Sequence, residues 1–388
     1  MSAGGPRDAS VAELLEGRDV CICGGAGGVG KTTTSAAIAL GMAARGRKVA
    51  VVTIDPARRL AMALGVSELG NEPTRIDPER LAAAGLEVTG ELWAMVLDAK
   101  RTFDELIERL APDERTREEI LANRIYTGLS NAVAGSQEFT AIAKLYELHR
   151  EHDFDLVVLD TPPSRNALDF LDAPDRLTGF FEGRALQVFL RPTGLATRLV
   201  ARGTSLTFSV LKRVTGVDLL SDLSVFFGAL GGLIDGFKER AARVNELLRD
   251  PATTFVLITS PEPEPVEEAI FFWERLRAAG MPFGAAIVNR VVGDQAPEPE
   301  YDALRHELAG LLDEEALAGK VADAYRDHRV RANRDRVGID RLAQALGDPP
   351  MIRVPQLDDD VHDLGGLARV ARHLFAGGAQ PLPAGPGR

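Results

Sequence analysis

Residues 25 to 32 read G-A-G-G-V-G-K-T, the G-x-x-x-x-G-K-[ST] spacing of a loop that wraps a phosphate. Gly25, Gly27, Gly28 and Gly30 let successive main-chain N–H groups turn inward, with Val29 between them, and the start of the helical stretch TTTSAAIALGMAA that follows adds its partial positive charge. Lys31 would reach the β- and γ-phosphates, the Thr32 hydroxyl would ligate Mg²⁺, and Thr33 continues the first helical turn. Two aspartates complete the set. Asp55 closes the apolar run KVAVVTI and Asp160 closes FDLVVLD. An acid after an apolar strand near such a loop suits Mg²⁺, usually through water, and that role is assigned to Asp160. A second acid can orient or deprotonate an attacking water, the role assigned to Asp55. Singly, each would read as a helix cap or turn former. Together with the loop they read as a site for ATP with Mg²⁺.

Short β-branched runs alternate with longer helical patterns: residues 19–23, 48–54, 92–97, 154–160, 253–259, 283–289 and 351–354. This rhythm predicts an α/β fold, a mostly parallel, doubly wound sheet with helices on both faces. Such sheets bind ligands at the carboxyl ends of their strands, where the loop, Asp55 and Asp160 all fall. Residues 1–164 would form the first part of the nucleotide-binding core and 251–375 its second part. Between them, 165–250 has no convincing strand and reads as a helical insert, too long for an ordinary connection. Eight of the sixteen phenylalanines lie there, interleaved with Arg191, Arg198, Arg202, Lys212 and Arg213. Residues 376–388 read as a flexible tail.

The chain has 388 residues, 45% hydrophobic and 26% charged, enough for a large core. Its 57 acidic and 45 basic residues leave a net charge of −12, which opposes binding to nucleic acid or anionic lipid. The only cysteines are Cys21 and Cys23; spaced by one in a strand, they should share a buried face and cannot frame a disulfide network or a zinc site. A polar start without a hydrophobic stretch predicts a cytoplasmic protein, peripheral to a membrane at most. His149, His152 and Asp153 end a helical run and read as solvated. Asp358 to Asp360 should start the last helix, where negative charge suits the dipole.

With TIDPARRL and VLDTPPSRN beside the loop, the sequence resembles the ATPases of the arsenite-pump type, which include the factor that targets tail-anchored membrane proteins. The resemblance runs along nearly the whole chain. It implies that Asp55, in D-P-A, positions the hydrolytic water, and that the second switch runs from Asp160 to Asn166, with only a partial match. It further implies adenine contacts from Asn289 in IVNR and from Pro355 in VPQL. The family loop reads G-K-G-G-x-G-K-T, and its first lysine touches the nucleotide of a partner subunit. Here that position is Ala26. A symmetric homodimer would therefore be a poor ATPase unless Arg58, Arg59 or Arg165 replaces the missing charge; a heterodimer with a lysine-bearing paralogue is the favoured reading. The insert would serve a membrane-protein client or partner, although phenylalanines at helical spacing more often form core. Zinc and arsenite sites lack their cysteines. Two other functions compete: a nucleotide-binding regulatory or scaffolding subunit, and a partition-type ATPase. The latter would need a basic surface or a terminal amphipathic helix that the tail does not offer.

Overall fold

Eight strands form one sheet: β1 (Val20–Gly25), β2 (Lys48–Thr53), β3 (Thr74–Arg75), β4 (Glu91–Val96), β5 (Leu156–Asp160), β6 (Thr253–Thr259), β7 (Phe283–Val291) and β8 (Met351–Pro355). The computed structural model describes residues 10–55, 59–124, 126, 136–162, 172, 179, 226, 228–293, 300–312 and 314–376. The strand order is β3-β4-β2-β5-β1-β6-β7-β8, and every pairing is parallel except β3 with β4. All seven expected strands are present. The two-residue β3, exposed on both residues, was too short to show any periodicity.

Continuous apolar runs in β1, β5 and β6 are buried on both faces, as a parallel sheet under two helical layers requires. Val20 and Ile22 join the cluster on one face, under the helices Ala99–Leu110, Ser136–Glu151, Ile234–Arg249 and Pro263–Ala278. Cys21 and Cys23 join the other face, under Lys31–Ala43 and Leu364–Leu374. Both thiols are buried and unbridged, on one face as their spacing required. The helix Lys31–Ala43 is apolar almost all round and buries every residue from Thr34 to Ala43, which fixes its start rigidly against the sheet edge.

Of the expected insert, most residues from 165 to 227 lie outside the described residues, as does most of the tail. The helix Ile234–Arg249 is described, and it packs Phe237, Ala241, Val244 and Leu248 into the core, with Phe237 stacked on Phe103 at 5.7 Å between ring centroids. Phe226 is buried as well. These two phenylalanines are core. One local expectation is corrected: the last helix is capped by Asp363, whose Oδ1 accepts the Gly366 N–H at 2.7 Å, and the Asp358 to Asp360 trio precedes it. Asp363 wins because only it stands three residues before an N–H of the first turn.

Candidate nucleotide site

The carboxyl end of β1 runs into the loop through Gly25, whose φ of +152° and whose closeness to the Ile258 carbonyl exclude any side chain: a Cβ would lie 1.8 Å from that oxygen. Gly27 and Gly28 are exposed, Val29 is buried, and Gly30 precedes the helix with φ +91°. No side chain caps that helix and no acid stands in its first turn, so its amides and dipole remain available to an anion. Lys31 folds back over the loop, donating from Nζ to the Ala26 carbonyl at 2.7 Å. Burial lowers its pKa, against the opposing charges of Asp160, Glu268 and Asp55. Thr32 and Thr33 are half-buried on the first turn.

Asp160 ends β5 in register with Cys23 of β1 and Thr53 of β2, so sheet pairing alone carries it to the loop. Its Oδ2 accepts two hydroxyls, Thr32 at 2.6 Å and Thr53 at 2.8 Å. Its Oδ1 is buried with no hydrogen-bond partner. Burial pushes the carboxyl up to about 6, against those two hydroxyl bonds and the charge of Lys31. A buried carboxylate oxygen left unpaired is costly, and an oxygen-seeking cation or its water would relieve it. A hydroxyl and a carboxylate side by side are the donors Mg²⁺ takes, so the residues fit that ion. Thr161 holds the turn beyond Asp160 by donating from Oγ1 to the Cys23 carbonyl at 2.8 Å.

Asp55 stands two residues past the end of β2, its amide bonded to Thr53 Oγ1 at 3.2 Å. Arg59 pairs with it at 3.6 Å. Pro56, Ala57, Arg58 and Arg165 lie outside the described residues, as does the second switch from Pro163 onward. At the far side of the loop, Asn289 on β7 donates from Nδ2 to the Val29 carbonyl at 2.9 Å. Pro355 ends β8 opposite Val291. The structure thus joins Lys31, Thr32, Asp160 and Asn289 directly to the loop, sets Asp55 beside it through Thr53, and leaves Pro355 at the same edge, three strands from β1.

The family model of the anion-transporting ATPases matches residues 18–343, from the strand before the loop to the long helix before β8. The chain belongs to this family. Among its relatives, an arsenical pump-driving ATPase 1 of Aquifex aeolicus (strain VF5) is 26% identical over 92% of this chain and 78% of that protein. The ATPase GET3A of Arabidopsis thaliana is 25% identical over 74% of this chain and 71% of that protein. An ATPase ASNA1 homolog of Cryptosporidium parvum is 26% identical over 69% of this chain and 64% of that protein. The chain is an ATPase.

In this member of the family, Ala26 is 3% exposed and packs its methyl in the cluster under the Lys31–Ala43 helix. Thr53 and Glu268 have no role in the sequence reading, and Thr161 has only its place in the second switch. Thr53 had a signal, a hydroxyl two residues before Asp55 at the end of a strand; Glu268 lies on a distant helix and had none. Among the described residues, no group of three or more His, Cys, Asp or Glu is placed to hold a metal, and no helix is long and apolar enough to cross a membrane.

Proposed function

We propose that this ATPase hydrolyses ATP with Mg²⁺ as a nucleotide-switched dimer of the arsenite-pump and tail-anchored-targeting type. It would pair with a homologous subunit that carries the lysine missing at Ala26, in the cytoplasm, serving a membrane-associated transport or trafficking process. The observation that carries the reading is the arrangement at Asp160: a buried carboxylate with one oxygen on the Thr32 hydroxyl and the other unpartnered, beside a helix start that lacks any capping acid.

Thr32 and Asp160 would hold the magnesium, Asp160 through water. The ion supplies charge neutralisation for the phosphate oxygens when bound. Lys31 would exchange the Ala26 carbonyl for the phosphates, a short swing because its ammonium already lies across the loop. The loop amides and the helix start bind the remaining phosphate charge. Asp55 would accept a hydrogen bond from the attacking water and orient it, its own position held by Thr53 and Arg59. Pro355 is a candidate for the base, as is Asn289 unless its amide stays committed to the Val29 carbonyl. Ala26 offers no charge to a partner's site, whereas a cation supplied in trans is worth roughly 10³ to 10⁵ in rate in related enzymes.

The test is turnover of the purified chain alone and with the homologous subunit that co-purifies with it from its native cell. Slow hydrolysis alone, faster hydrolysis in the pair, and loss of the gain on Asp55→Asn are expected. Brisk turnover alone that collapses on Arg59→Ala would overturn the need for a lysine-bearing partner. No difference between the paired wild type and Asp55→Asn would leave a scaffolding role.

A further inference from the structure

Asn289 spends both ends of its amide at once. Nδ2 donates to the Val29 carbonyl at 2.9 Å, and Oδ1 accepts the Arg290 N–H at 3.0 Å. These two partners fix which end faces the loop, because an oxygen there would confront the Val29 carbonyl. The loop makes room for it. A Cβ on Gly30 would lie 2.5 Å from Asn289 Nδ2, so glycine at this position admits the amide as well as supplying the positive φ. The strand is irregular at the same place. The β7–β8 register shifts between Val288 and Val291, and Arg290 takes φ +59°, a conformation that non-glycine residues seldom adopt. Asp335, 2% exposed, holds the outgoing chain by accepting the Val292 N–H at 2.9 Å. Backbone strain of this kind persists where its surroundings over-determine it.

We propose that Asn289 is a positioning residue for the phosphate loop: it latches the Val29 carbonyl to β7 and so sets the direction of the loop's amides. The C=O and N–H of a trans peptide point opposite ways, so a Val29 carbonyl held towards Asn289 also aims the Gly30 N–H. That N–H is one of those the motif presents to phosphate. The role rests on reading the loop as the phosphate site, and it differs from an adenine contact. A latch acts on the phosphates, so it serves any polyphosphate equally; a base contact serves only the nucleoside.

The experiment compares the full-length wild type with Asn289→Ala and Asn289→Asp. Calorimetry follows magnesium-ATP and magnesium-tripolyphosphate, and amide hydrogen exchange of residues 26–32 is followed in the nucleotide-free chain. Loss of one neutral hydrogen bond should weaken both ligands by the same factor, about fivefold to tenfold, and speed exchange at Gly30. A loss confined to ATP makes Asn289 a base contact and overturns the latch, as does unchanged binding of both. If Asn289→Ala does not fold, Asn289→Asp keeps the acceptor for Arg290 N–H but sets a charged oxygen against the Val29 carbonyl, so it is read by exchange at Gly30 alone: unchanged protection overturns the latch. Should the wild type bind neither ligand, the proposed function fails while exchange still decides the latch: equal protection in wild type and variants overturns it.

Discussion

Asp160 carries a prediction that separates its cost to the fold from its use in the site. The carboxyl is buried and its pKa rises from 3.8 to about 6 in the nucleotide-free chain. A group whose folded pKa is raised stabilises the fold fully below its unfolded pKa and loses that contribution as pH rises through the folded value. Between pH 5 and pH 8, with metal chelated, the wild type should therefore lose about 1 to 2 kcal/mol of stability through this one residue. Asp160→Asn abolishes the titration. Its carbonyl oxygen can still accept from Thr32 and Thr53, but its amide N–H group falls where Oδ1 has no partner, at a cost of about 1 to 3 kcal/mol. That penalty is the same at every pH, so the difference between variant and wild type isolates the charge. Urea unfolding at pH 5 and pH 8, in EDTA and without nucleotide, should show the variant gaining about 1 to 2 kcal/mol on the wild type as pH rises. The same variant should lose the magnesium dependence of ATP binding. A stability difference that does not change with pH would refute the burial argument, and a variant that keeps full magnesium-dependent ATP affinity would refute the ligand role.

The remaining predictions concern the neighbours of Asp160. Thr53→Val removes one of the two hydroxyls on Oδ2 and should cost about 1 to 2 kcal/mol, more at pH 8 than at pH 5, because the lost bond favours the ionised form; the same urea series checks it. Lys31→Ala should lower turnover at least about 10²-fold while leaving the fold intact, since the lysine's burial is itself unfavourable; hydrolysis and thermal melts check the two halves. Gly25→Ala should destabilise by about 3 kcal/mol or more, or prevent folding, because its Cβ has no space beside the Ile258 carbonyl; soluble yield and unfolding report it. Arg59→Ala should change stability by less than about 1 kcal/mol, its pair with Asp55 being exposed.

The loop and its lysine were legible because each residue type is dictated by backbone chemistry at a fixed spacing: Gly25 tolerates no Cβ, and Lys31 and Thr32 fall on the first turn of a helix whose apolar continuation is plain. The strands were legible for a similar reason, since burial on both faces demands runs such as LVVLD and TTFVLIT. The β5 register with β1 and β2 then brings Asp160 to Thr32 and Thr53, but that register depends on pairings across more than a hundred residues, so the local signal of Thr53 ties it to Asp55 and not to Asp160.

Asn289 shows the limit most clearly. Its position at the end of a strand is legible, and the family resemblance points its side chain at a base. Which loop the amide meets is set elsewhere, by a register shift that sequence pattern does not record, by Arg290 in a left-handed conformation, and by Asp335 on a helix more than forty residues downstream. None of these residues carries a motif. They fix the chain on either side of Arg290, and the hydrogen bond from Asn289 to the Val29 carbonyl lies next to that irregularity. Chemistry written into contiguous residues can be read from the chain; chemistry that depends on how a strand is aimed requires the fold.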